Sequence, residues 1–242
     1  MGTILKLDRL SKAFGAVTVA DALSYEVQEG EALGVIGPNG AGKTSMFNLI
    51  TGTLSPDSGR VEFAGQNVTK WNAARRSHAG VARSFQVPQP FSGMTVFENA
   101  MIAATQSAGL HGPAAERFCL QVLDQTELLP KANVLAASLT LLERKRLELT
   151  RALCAQPKLL LLDEIAGGLT EAECASLVQT IKDIHASGVT IIWIEHVVHA
   201  LLEVVDRLIV IDFGKQIAAG EPHAIMNSPE VKKIYLGIEV DA

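Results

Sequence analysis

Two kinds of apolar pattern mark the predicted strands of this chain. Ile4 to Leu10 and Ala22 to Val27 alternate apolar and polar residues, as half-buried antiparallel strands do, and Phe14-Gly15 lies between them. Glu31 to Ile36 and Lys158 to Leu162 are instead nearly continuous apolar runs, which are typical of strands buried on both faces. The pattern therefore predicts an opening antiparallel layer followed by a buried parallel sheet.

Capping signals mark the starts of three predicted helices. In each, a threonine precedes a glutamate by three residues, which is the spacing of a capping box. The three segments are Thr95 to Glu98, Thr140 to Glu143 and Thr170 to Glu173. The first helix is expected to run to about Gln106, and another helix is expected over Ala114 to Leu128. Because no strand separates these two helices, the sequence predicts an inserted helical subdomain.

The rest of the chain alternates strands with helices. Further short strands are expected at Val81 to Phe85, Val189 to Ile194, Arg207 to Asp212 and Lys215 to Ala218, and short helices around Ala224 and Val231. Charged residues beside these elements, namely Arg144 to Arg146, Glu195 and His199, are expected at the surface. The predicted fold class is α/β.

A glycine-rich segment lies between a predicted strand and a predicted helix. Gly37 to Thr44, reading GPNGAGKT, has the spacing G-x-x-x-x-G-K-T. Its glycines are Gly37, Gly40 and Gly42. Glycine allows backbone conformations in which successive N–H groups converge on phosphate oxygens. Lys43 adds a positive charge and Thr44 a hydroxyl ligand for Mg²⁺. The segment predicts a phosphate-binding loop rather than a plain turn.

A pair of acids follows the apolar run that ends at Leu162. Asp163 and Glu164 lie where this strand should end, and ligands of α/β sheets bind beyond such ends. An aspartate there can hold Mg²⁺ through water, and the adjacent glutamate can deprotonate a water aimed at a terminal phosphate. The alternative is a pair of helix-capping acids, which the phosphate loop in the same chain disfavours.

Composition narrows the possible partners and compartments. The chain has 242 residues and a net charge of −5, and no lysine or arginine cluster is long enough to track a phosphate backbone, so nucleic acid is an unfavoured partner. No apolar run approaches the ~18 residues that span a bilayer, and the N-terminus lacks a secretory pattern. Three scattered cysteines, Cys119, Cys154 and Cys174, predict reduced structural thiols. We expect a cytoplasmic protein.

Taken together, the motifs resemble those of ABC transporter ATP-binding subunits over almost the whole chain. The resemblance rests on GPNGAGKT, Gln86 after a strand, LLLLDE, the pair Gly168-Leu169, and His196 after VTIIWIE. Within the family, ARSFQVPQPFSGMTVFEN, IEHVVHAL and the tail VKKIYLG are similar to subunits of branched-chain and other hydrophobic amino acid uptake systems.

The resemblance implies a fold and a domain division. The expected fold is a P-loop NTPase (RecA-like) core with an antiparallel β-subdomain and an inserted α-helical subdomain. Residues 1–86 and 157–242 would form the core and β-subdomain of a single ABC domain, and residues 87–156 the helical subdomain with the signature loop.

The resemblance also implies roles for residues. Phe14 would stack on adenine, Lys43 would bind the β- and γ-phosphates, Glu164 would be the general base, and His196 would sense the γ-phosphate. The implied ATP-binding set is Phe14, Gly37, Asn39, Gly40, Ala41, Gly42, Lys43, Thr44, Ser45, Thr140 and Asp163; the implied Mg²⁺ set is Thr44, Gln86 and Asp163, and the implied catalytic set is Glu164, His196 and Gln86.

The implied assembly is a head-to-tail dimer of ATPase subunits, bound to membrane permeases at the cytoplasmic face of the inner membrane and served by a periplasmic solute-binding protein. The signature loop departs from the family pattern LSGGQ, because Leu139 to Glu143 reads LTLLE and both glycine positions hold leucine. Leu142 is expected to be the more serious change of the two. Ile165 and Thr170 also depart from the family pattern, in which a proline and an acid or amide are usual. A heterodimer with a second ATPase subunit is therefore favoured over a homodimer.

Three other functions remain as alternatives. The ATPase of lipopolysaccharide export is similar in its tail and in the region of His196. A soluble ABC protein of translation or DNA repair would need tandem cassettes or a long coiled-coil insertion, and a P-loop small-molecule kinase has no use for Glu164 with His196. The leading hypothesis is an Mg²⁺-dependent ATPase that powers import of branched-chain or other hydrophobic amino acids.

Overall fold

The largest element of the fold is a six-stranded sheet of order β10-β9-β3-β8-β7-β6. It is seen in a computed structural model that describes residues 2–236; Gly237, the last residue of the tail motif, lies outside them. The strands of this sheet are β3 (Ala32–Ile36), β6 (Val81–Arg83), β7 (Leu159–Asp163), β8 (Thr190–Ile194), β9 (Arg207–Asp212) and β10 (Lys215–Gly220). All neighbours pair in parallel except β10, which is antiparallel to β9.

A four-stranded antiparallel sheet of order β2-β1-β4-β5 covers one side of this core. Its strands are β1 (Thr3–Phe14), β2 (Val17–Gln28), β4 (Ser58–Phe63) and β5 (Gln66–Asn67). The alternating pattern that predicted β1 and β2 is confirmed, although both strands extend beyond it to meet at a tight turn after Phe14. The predicted opening layer is therefore present.

Nine α-helices lie within the described residues. They are α1 (Lys43–Thr51), α2 (Ala73–Ala79), α3 (Val96–Gln106), α4 (Gly112–Gln125), α5 (Leu141–Cys154), α6 (Glu171–Ala186), α7 (Val198–Leu202), α8 (Pro222–Asn227) and α9 (Pro229–Leu236). All three predicted capping boxes are formed, with the threonine hydroxyl and the glutamate carboxylate each holding a backbone N–H. Helices α3, α4 and α5 pack on one another without an intervening strand.

The six-stranded sheet is buried on both faces, which explains the continuous apolar runs. Leu160 and Leu162 pack into the cluster formed with α5 and α6, whereas Leu159 and Leu161 pack into the cluster formed with β1, β2 and α1. Every residue of β7 is buried. Because successive side chains of a strand point to opposite faces, both faces require apolar residues.

Three charged residues expected at the surface are buried instead. Lys145 and Arg146 are 4% and 7% exposed, because both side chains find partners on other segments: Lys145 Nζ donates to the Glu164 carbonyl oxygen, and Arg146 Nη2 donates to the Ser176 hydroxyl on α6. Arg146 pairs with Glu127 at 2.7 Å. Glu195 is 1% exposed at the end of β8. The expectation of a solvent-facing basic run is therefore wrong for two of its three residues, and that for Glu195 is wrong.

Smaller differences concern element ends. Strand β6 ends at Arg83 rather than Phe85, and α4 begins at Gly112, ahead of the expected Ala114. Helices α2 and α7 are not among the predicted elements; both are short, and α2 is capped by Asn72 without a glutamate three residues on. All three cysteines are unpaired and buried, as expected.

Candidate active site

The glycine-rich loop connects β3 to α1, as its spacing predicts. A Cβ on Gly37 would overlap the Ile211 carbonyl oxygen, and one on Gly42 would overlap the Val19 carbonyl oxygen. Gly42 has φ 101° and directly precedes α1. Glycine is required at both positions because the neighbouring backbone leaves no room for a side chain, and at Gly42 the left-handed conformation also disfavours one. The loop is thereby held against β2 and the end of β9.

Lys43 turns back into the loop. Its Nζ donates hydrogen bonds to the carbonyl oxygens of Gly37 at 2.7 Å and Pro38 at 3.0 Å. Burial lowers the pKa of Lys43, and the nearby carboxylates of Glu164 and Asp163 oppose this effect. The neighbouring Thr44 is exposed at the first turn of α1. The loop thus presents a lysine, a hydroxyl and the positive end of a helix dipole in one place.

Asp163 is the last residue of β7 and is almost entirely buried. Its Oδ2 pairs with Nη2 of Arg83 at 2.6 Å, and its backbone N–H donates to the Ser84 hydroxyl at 3.4 Å. The hydrogen bonds found among residues 2–236 use only Oδ2 of this carboxylate. The sequence analysis did not identify Arg83, because nothing in its local pattern indicates an ion pair with a residue of another strand.

Glu164 follows with φ 47°, a left-handed conformation that is uncommon for a residue with a side chain. Each oxygen of its carboxylate has a side-chain partner: Oε1 lies 2.8 Å from His196 Nε2, and Oε2 accepts from Gln86 Nε2 at 2.5 Å. The structure therefore brings together the three residues that the sequence analysis assigned to catalysis.

Glu195 and Lys145 lie behind this group. Glu195 Oε1 accepts from the Ala166 N–H at 2.7 Å and Oε2 from the His196 N–H at 2.8 Å. Burial raises the pKa of Glu195 although these backbone donors favour its charged form. Lys145 Nζ donates to the Glu164 carbonyl oxygen at 3.4 Å. The burial of Glu195 could have been predicted from the sequence, because this acid directly follows the continuous apolar run of β8.

Two proposed ligands of ATP lie away from this group. Phe14, at the β1–β2 turn, is 54% exposed and lines, together with Ser45, a cavity of about 650 Å³. Thr140 caps α5: its hydroxyl accepts from the Glu143 N–H, and its own N–H donates to the Glu143 carboxylate. Of the adjoining leucines, Leu141 is 44% exposed, whereas Leu142 packs on the main core. Leu141, rather than Leu142, is therefore the side chain presented at the surface of the signature loop.

The oxygen donors near the phosphate loop fit Mg²⁺. Within the part of the chain that the structure describes, no cluster of three or more His, Cys, Asp or Glu side chains could hold a metal ion alone. Mg²⁺ usually takes one or two protein oxygens together with nucleotide phosphates. The Thr44 hydroxyl and the Asp163 carboxylate supply such oxygens, and the amide of Gln86 lies beside Glu164.

A phosphate loop between a strand and a helix, with an acid pair ending a strand of the same parallel sheet, defines a P-loop nucleotide-binding protein. The family described as ABC transporter matches residues 20–167. The chain belongs to this family and is an ABC-type ATPase.

Individual relatives agree with this assignment over nearly full length. The chain is 34% identical to the high-affinity branched-chain amino acid transport ATP-binding protein LivG of Salmonella typhimurium, covering 97% of this chain and 98% of that protein. It is 30% identical to the lipopolysaccharide export system ATP-binding protein LptB of Haemophilus influenzae, with the same coverage. The ADP conformation of MJ1267, an ATP-binding cassette of an ABC transporter, superposes with a TM-score of 0.88 at 29% identity, covering 98% of this chain and all of that one.

These structural relatives confirm the expected P-loop NTPase fold. No helix in the described range is long and apolar enough to cross a membrane.

Proposed function

We propose that this ATPase powers the import of branched-chain or other hydrophobic amino acids. The observation that carries the proposal is the similarity to LivG, at 34% identity over 97% of the chain. The subunit would act at the cytoplasmic face of the inner membrane, bound to permease subunits that receive solute from a periplasmic binding protein. Residues 87–156 are proposed as the helical subdomain that contacts the permeases.

The positions of the side chains support a proposed role for each site residue. Lys43 and the loop N–H groups bind phosphates, while Thr44, Gln86 and Asp163 supply oxygens to Mg²⁺. When bound, Mg²⁺ neutralises charge that develops on the phosphates. Glu164 accepts a proton from the attacking water. Gln86 and His196 each hold one of its oxygens, and the lone pairs left on these oxygens can accept from the water.

The phosphate loop is tested by nucleotide affinity. Lys43→Ala removes a charged donor, so the affinity for ATP should fall by about 10- to 100-fold. The matched control is Lys70→Ala, because Lys70 is exposed outside the loop. Unchanged affinity of the Lys43 variant in a titration with labelled ATP would show that the loop assignment is wrong.

The leucines of the signature loop favour pairing with a different ATPase subunit. Leu141 is exposed where the family has glycine, and its side chain lies against Gly168 of the same chain. In a head-to-tail dimer, the Leu141 side chain faces the nucleotide of the partner subunit, while this chain's own phosphate loop faces the signature loop of the partner subunit. We therefore propose a heterodimer with one hydrolytic site and one site that hydrolyses slowly.

The experiment measures ATP hydrolysis by the chain alone, with the second ATPase subunit of the transporter, and with Leu141→Gly. Hydrolysis should rise with either change, because a close backbone donor contributes about 2 kcal/mol or more to such a site. Leu120→Gly, which removes another exposed leucine on α4, is the control. Fast hydrolysis by the unmodified chain, with no gain from partner or glycine, would contradict the asymmetry.

The alternative transport reaction is lipopolysaccharide export, which the 30% identity to LptB keeps open. Identification of the proteins that copurify with this chain from membranes distinguishes import from export. Copurification of permeases and a periplasmic amino acid receptor would support the import proposal. Copurification of components of an outer-membrane lipid pathway would contradict it and support lipopolysaccharide export.

A further inference from the structure

The guanidinium of Arg83 lies between the acid pair and the large cavity beside α5. It pairs with Asp163 at 2.6 Å, and its Nη1 donates to Asn48 Oδ1 on α1, also at 2.6 Å. The rings of Phe47 and Phe85 lie 5.4 Å and 5.2 Å from it. One arginine thus joins β6, β7 and the helix that follows the phosphate loop.

Both charges of this pair are removed from water. The Arg83 side chain is 8% exposed and that of Asp163 is 5% exposed. A buried carboxylate without a counter-ion is strongly unfavourable, and removing one partner of a buried pair costs far more than removing both. Arg83 Nε has no hydrogen-bond partner among the described residues, so the guanidinium is incompletely satisfied and held mainly by Asp163 and Asn48.

We propose that Arg83 is the counter-ion of Asp163 in the protein without nucleotide. It neutralises this carboxylate until the cation binds with the nucleotide, and it orients the carboxylate for that cation. The proposal rests on the assignment of Asp163 to Mg²⁺ made above. Arg83 occupies Oδ2, and the described residues place no donor on Oδ1. The carboxylate is therefore fixed by one oxygen while the other remains available, which makes Arg83 a positioning residue rather than a catalytic one.

The experiment compares thermal unfolding of the full chain in EDTA, in EDTA with the non-hydrolysable AMP-PNP, and in Mg²⁺ with AMP-PNP. Arg83→Met leaves Asp163 unpaired, so its Tm should be about 10 °C below the parent in both EDTA conditions. Mg²⁺ with AMP-PNP should remove at least half of that deficit, because the cation then supplies the missing positive charge. Arg83→Lys keeps the charge and should stay near the parent throughout.

Arg76→Met is the matched control. Arg76 is 1% exposed, but within residues 2–236 its guanidinium donates only to backbone carbonyls, among them those of Leu49 and Ile50 at 2.6 Å and 2.8 Å. Its loss should lower the Tm equally with and without Mg²⁺. An Arg83→Met deficit that is equally insensitive to Mg²⁺ would overturn the proposal and leave Arg83 a structural residue.

A double variant keeps the proposal testable if Arg83→Met does not fold. Arg83→Met/Asp163→Asn removes both charges, so it should regain most of the lost Tm and show no specific response to Mg²⁺. A double variant that is as unstable as the single one would overturn the proposal. The parent should have a higher Tm in Mg²⁺ with AMP-PNP than in EDTA with AMP-PNP. Equal values would show that the proposed metal site is wrong, and the role of Arg83, which depends on that site, would then also be wrong.

Discussion

Two glutamates at the ends of neighbouring strands have opposite surroundings. Glu164, after β7, is partly exposed, and its two carboxylate oxygens contact the side chains of Gln86 and His196. Glu195, after β8, is 1% exposed and accepts hydrogen bonds from backbone N–H groups. Glu164 is therefore held by side chains that can move away from it, whereas Glu195 is held by backbone groups that cannot.

The difference shows how the partners of a carboxylate indicate its use. Side chains can rotate away, so Glu164 can exchange its partners for a water molecule. Backbone donors cannot rotate away without unfolding of the loop, so Glu195 instead fastens the segment after Glu164 to the segment that contains His196. The proposed reaction chemistry belongs to Glu164, and Glu195 holds together the two segments on which the geometry of that proposed site depends.

The largest expected effect is the loss of turnover in Glu164→Gln. The amide retains the shape but cannot accept the proton of water, so kcat should fall by roughly 10²- to 10⁴-fold. Affinity for ATP should change little, since the phosphate loop is intact. Steady-state ATPase assays of the complete transporter, together with equilibrium nucleotide binding, test both statements. Turnover at the parent rate would remove Glu164 from the role of base.

A smaller effect, on stability rather than turnover, is expected at the second glutamate. Glu195→Ala leaves buried N–H donors without an acceptor and should lower the free energy of unfolding by about 3 kcal/mol. Glu195→Gln retains one acceptor oxygen and should cost less. Urea unfolding without nucleotide measures both, with Glu116→Ala on exposed α4 as the control. Equal stability of Glu195→Ala and the control would show that the carboxylate does not fasten the two segments.

The smallest effect is a pH dependence. Burial raises the pKa of Glu195, so the folded protein binds this proton more readily than the unfolded chain. Its stabilising contribution is therefore complete below the pKa of an unfolded glutamate, about 4.3, and is lost as pH rises through the higher folded pKa. The stability of the parent relative to Glu195→Gln should decrease between pH 4 and pH 8 in urea unfolding. A difference that grows with pH would contradict this assignment.

Much of the site could be predicted because its signals are local. The phosphate loop and the acid pair each combine a residue spacing with an adjoining apolar strand, and the structure brings them to one edge of the sheet. The capping boxes were equally reliable, since all of their hydrogen bonds lie within four residues.

The parts that sequence reasoning missed depend on contacts between distant segments. Arg83, Lys145 and Glu195 are charged residues whose burial is decided by partners from other strands and helices. A charge run on a helix is usually solvated, and the contacts of Lys145 with the segment after β7 and of Arg146 with α6 reverse that expectation here. Similarly, which of the two signature leucines is exposed depends on the core that Leu142 contacts.

The left-handed backbone of Glu164 has a consequence for directed evolution of this protein. At φ 47° a side chain costs roughly 1 kcal/mol or more, and glycine there would relieve that strain. A library screened only for heat resistance should therefore admit glycine there to the extent that relief of this strain exceeds the loss of the contacts with Gln86 and His196. A screen for ATP hydrolysis, in which Glu164 is the proposed base, should retain the acid, so the two kinds of screen should diverge at this position.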